Sequence, residues 1–137
     1  MSKADERFIA LCEKHAVDPN AIVDVSKVPE KRKRYSLACD KLAIIAECYN
    51  KEDEDGNIVE MELFPDYTNR RQWKYELLFQ LVKDESSVSG FGLAYDDYDT
   101  WLTCTCVGSR LCWRSVATGK RAFADFTEYF EDVYLPA

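Results

Sequence analysis

The apolar residues of this 137-residue chain change their spacing twice, and that change restricts the fold more than any other feature. Up to Tyr49 they recur three and four apart, from Trp73 they alternate, and from Ser115 the wider spacing returns. Spacing of three and four lines one face of a helix, whereas alternation lines one face of a strand. The order predicts an α+β domain. It has two N-terminal helices, a three- to four-stranded antiparallel sheet, and one C-terminal helix packed on the sheet.

The first helix is expected over residues 4–16, where Phe8, Leu11, Cys12 and His15 share a face. Asp18-Pro19 stops it, because the residue before a proline is pushed out of helical geometry. The second carries Tyr35, Ala38, Leu42, Ile45 and Tyr49, with Ser26 as an upstream cap and Pro29 in the first turn. It ends at Asn50, before the polar loop that begins at Lys51. Trp73, Tyr75, Leu77, Phe79 and Leu81 form the aromatic side of a first strand. After a turn from Ser86 to Gly90, Phe91, Leu93 and Tyr95 open a second strand. Asp96, Asp97, Tyr98 and Asp99 read as a polar tip, Trp101 to Val107 as a third strand, and Arg110 to Trp113 as a short fourth. The closing helix runs through Val116, Gly119, Phe123, Phe126, Phe130 and Val133. Glycine inside such a stripe costs about 1 kcal/mol against alanine, so Gly119 marks a close approach of helix to sheet. With no internal repeat and no long linker, residues 1–137 read as a single domain.

Charge narrows the function. Residues 1–50 carry nine basic and eight acidic side chains, and residues 51–137 carry nine and seventeen. The acidity therefore belongs to the second part of the chain, which makes nucleic acid an unlikely partner, since phosphate neutralisation drives that affinity. Lys31-Arg32-Lys33-Arg34 is a short run at a helix start and reads as a solvated face. No apolar run is long enough to span a bilayer and no charged-then-apolar leader opens the chain. The expectation is no membrane and no secretion by a signal peptide.

Neither chemistry nor a cofactor is expected. The six cysteines are Cys12, Cys39, Cys48, Cys104, Cys106 and Cys112, and no C-x-x-C pair exists to supply half a zinc site. They read as buried reduced thiols. The lone His15 sits at a helix end with no catalytic partner suggested nearby, so capping or packing is its expected role. Lys51 to Glu62 imitates an EF-hand loop, with Asp53, Asp55, Gly56 and Glu62 at positions 3, 5, 6 and 12. Lysine at position 1 and Phe64-Pro65 downstream spoil the match, so an acidic surface turn is expected and no metal. Gly108-Ser109-Arg110 falls short of a phosphate loop, and Asp96, Asp97 and Asp99 lack a known separation for two-carboxylate catalysis. The remaining resource is aromatic. Trp73, Tyr75, Tyr95, Tyr98, Trp101 and Trp113, with Arg110, form the expected interaction surface, because these residue types are enriched at binding hot spots.

The stretch Val107-Gly108-Ser109-Arg110-Leu111-Cys112-Trp113-Arg114-Ser115 and the closing Phe126-Thr127-Glu128-Tyr129-Phe130 resemble a group of small uncharacterised proteins of phages and prophages of gut Bacteroidales. Asp18-Pro19, Pro29-Glu30, Lys41 to Ile45, Pro65-Asp66-Tyr67, Trp73-Lys74-Tyr75 and Ser89-Gly90-Phe91 fall in similar order. The resemblance implies a setting, a host cytoplasm or a virion, and supplies no catalytic residues to carry over. Together with the residues, it leads to the expectation of a non-enzymatic binding or structural protein, virion-associated and held by a protein partner or by copies of itself. The alternative is an acidic intracellular inhibitor of a host nucleic-acid enzyme or defence factor.

Overall fold

In the computed structural model, which describes residues 1–87, 90–102 and 111–135, Ser2 sets the start of α1 (Lys3–Lys14). Its side chain accepts from Asp5 N–H while the Asp5 carboxylate accepts from Ser2 N–H, a reciprocal capping box. The helix stops two residues short of the predicted end. Ala16 turns left-handed at φ 56°, and Val17 N–H closes back on the Cys12 carbonyl. α2 (Glu30–Tyr49) begins with Pro29 as its N-cap, later than a cap at Ser26 would start it, and without a side-chain cap. Ser26 instead belongs to a turn held by the Asp24 carboxylate.

β1 (Lys74–Lys83) and β2 (Phe91–Trp101) form an antiparallel hairpin. The sheet has two strands among the described residues, where the sequence predicted three to four. The predicted tip at Asp96–Asp99 is the middle of β2, and Trp101, taken as the start of a third strand, ends it. Residues 103–107 and Arg110 lie outside the described residues. The predicted fourth strand contributes one bridge, Trp113 exchanging both backbone bonds with Tyr75 at 2.8 and 3.1 Å. The register explains the misreading. It passes from Leu78 opposite Asp97 to Phe79 opposite Tyr95, leaving Asp96 as a bulge with nothing across from it. The extra residue shifts the alternation, so Tyr95 and Tyr98, three apart, both share the face of Leu77 and Phe79.

α3 (Val116–Tyr134) is capped by Ser115 and packs on that face. It breaks at Phe126, whose φ of −128° lies outside helical geometry, so the single predicted helix is two segments joined at a kink. Gly119 is where α3 meets the sheet: a β-carbon there would lie 2.9 Å from the Trp113 ring and 3.1 Å from Leu77. The core joins all three helices to the hairpin through Phe8, Leu42, Ile45, Leu77, Trp113, Phe126 and Phe130. No helix among the described residues is long and apolar enough to cross a membrane.

Candidate interaction surfaces

The seven residues expected to form one surface separate in the structure. Trp113 is 1% exposed beneath Gly119, so it is a core residue and not part of any surface. Trp101 is half-buried: it stacks on Tyr67 and donates its indole N–H to Glu76. Tyr95 is half-buried with the Lys120 ammonium 4.5 Å from its ring centre. Trp73 and Tyr98 are exposed, and half-buried Tyr75 touches Tyr98 with ring centres 5.9 Å apart. The middle of the aromatic face is therefore covered by α3, and its two ends are open, Trp73 and Tyr98 at one and Leu81 and Phe91 at the other. Arg110 lies outside the described residues.

A larger opening lies on the other side of α2. A groove of about 820 Å³ runs between α2, the segment from Leu63 to Tyr67, and the end of α3. Leu42, Ala43, Ala46, Phe64, Leu111 and Val133 make it mainly apolar. At its rim Tyr35, Leu63 and Tyr134 are 50, 72 and 48% exposed. The sequence hid this surface because Tyr35 and Val133 belong to the same stripes as core residues, and Leu63 to Tyr67 showed no period.

His15 has a partner after all. Its Nε2 meets Glu52 Oε2 at 2.5 Å, and both side chains are almost wholly buried. Glu52 Oε1 also takes Arg121 at 3.1 Å and Lys14 at 3.2 Å. Burial pushes the Glu52 carboxyl up, but His15, Arg121 and Lys14 outweigh it and hold it below the usual range. One carboxylate from the supposed surface loop thus ties α1 to α3. The rest of that loop is used locally. Asp53 accepts from the Asp55 and Asn57 amides, and the Gly56 carbonyl takes the Lys14 ammonium. Asp53 Oδ1 is thereby turned onto its own backbone. No cluster of three metal-ligating side chains occurs among the described residues.

Lys74 was also missed, hidden by its polar position in an alternating strand. It is 0% exposed, and its ammonium donates to the carbonyls of Asp66, Asn69 and Gln72 beneath the Trp101 ring. It pins the 66–72 loop to the sheet. Of the cysteines, Cys12, Cys48 and Cys112 are buried free thiols. Burial pushes Cys48 and Cys112 up to about 12, so both stay protonated and inert as nucleophiles. Cys39 is half-buried on the groove wall, and Cys104 and Cys106 lie outside the described residues. No protein-family model, curated protein or solved structure matches the chain.

Proposed function

We propose that the chain is a non-enzymatic, phage- or prophage-encoded binding domain, a small virion-associated component that docks on protein through the α2 groove. The observation that carries this reading is the groove's exposed apolar rim of Tyr35, Leu63 and Tyr134. Exposed apolar side chains grouped around one opening support a protein contact there. The wall suits a protein more than a reaction. Cys39, Ala43 and Ala46 are small and admit close approach, while the tyrosines supply rigid amphipathic contact area. The phage setting comes from the sequence resemblance alone.

The exposed row Asp96, Asp97 and Asp99 favours a second reading, an acidic inhibitor that imitates nucleic acid toward a host enzyme. Mass spectrometry of purified particles separates the two. The virion reading expects this chain in particles at a constant ratio to the capsid protein. Its absence from particles, with salt-dependent competition against DNA for a host enzyme, would overturn that reading in favour of the inhibitor.

A further inference from the structure

Among the described residues, no strand pairs with β2 on the side away from β1. Tyr75 spends its backbone groups on Trp113, on the side of β1 away from β2. Thr100 lies opposite Tyr75, so its own N–H points out of the sheet. By the two-residue period the same holds for Tyr98, opposite Leu77. A row of outward amides is a template on which another strand can pair.

Each of these amides is already occupied. Thr100 N–H donates to Asp99 Oδ1 and Tyr98 N–H to Asp97 Oδ1, both at 2.8 Å. Asp96, Asp97 and Asp99 are all exposed. A second copy laid antiparallel along this edge would bring two rows of like charge together, which destabilises strand pairing.

We propose that β2 is a guarded edge, whose carboxylates occupy the amides an incoming strand needs and repel the same strand of a second copy. The hairpin is thereby kept from associating through its sheet. This gives the acidic stretch a role without catalysis or metal, and it holds whichever partner the groove takes.

Two variants test it by sedimentation velocity over a wide concentration range. Asp97→Val with Asp99→Val removes both acceptors and both charges. Asp97→Lys with Asp99→Lys removes the acceptors but restores a like-charged row. The valine pair is expected to shift to larger species that bind thioflavin T. The lysine pair should match the wild type at low salt and shift only at high salt, where repulsion is screened. A folded valine pair that sediments as the wild type does would overturn the proposal. So would a lysine pair that associates at low salt as strongly as the valine pair. Threonine at both positions replaces valine if the urea midpoint shows that valine prevents folding.

Discussion

Glu52 gathers three basic side chains around one buried carboxylate. Its carboxylate is 1% exposed and faces His15, Lys14 and Arg121. Replacing it by glutamine keeps the shape but leaves Lys14 and Arg121 without their counter-charge and His15 without its carboxylate partner. Because Lys14 and Arg121 are partly exposed, the cost at neutral pH should be about 2–3 kcal/mol, below that of a fully buried pair. The sign of the pH dependence follows from its lowered folded pKa. The contribution is complete above the ordinary carboxylate range and fades as pH falls through the folded value. Urea unfolding of wild type and Glu52→Gln should therefore converge on acidification, whereas a gap that stays constant below pH ~4 would contradict the assignment. Asp5 runs in the same direction, held at about 2, chiefly by the Tyr129 hydroxyl. Neither partnership was legible in the sequence. His15 and Glu52 are 37 residues apart, and a glutamate among five acidic or polar neighbours gives no sign of burial.

At the scale of elements, spacing was informative wherever one side of an element faces the core. α1, α2, β1 and α3 appear where the apolar period placed them, within a few residues at each end. The boundaries moved for local reasons: a left-handed Ala16 ends α1, and Pro29 starts α2. β2 was cut short because four polar residues resemble a turn, while the bulge at Asp96 breaks the alternation that would have revealed a strand. Gly119 was legible as a close contact, and its value can be measured. Alanine there improves helix propensity by about 1 kcal/mol but drives a methyl against Trp113, and overpacking of this kind costs about 1–3 kcal/mol. Gly119→Ala should lower the melting temperature. A rise would show that the Trp113 ring yields and that α3 does not depend on the contact.

Taken whole, the molecule divides its surface by chemistry. The free edge of β2 is acidic with the Tyr98 and Thr100 amides capped, the middle of the hairpin's aromatic side lies under α3, and the apolar opening lies between α2 and the end of α3. Composition foretold an acidic domain with aromatics to spare, and placed the binding surface on the sheet. Folding instead buried Trp113 and left Tyr35 and Tyr134 half exposed, because a stripe wide enough to pack a central helix also reaches around to its open side. The central claim is that protein docks on this groove, and hydroxyl-radical footprinting tests it directly by comparing the free chain with its assembled form. The account predicts that Tyr35 and Tyr134 become protected on assembly while Trp73 and Tyr98 stay as reactive as in the free chain. Unchanged oxidation of Tyr35 and Tyr134, with protection at Trp73 and Tyr98, would contradict it.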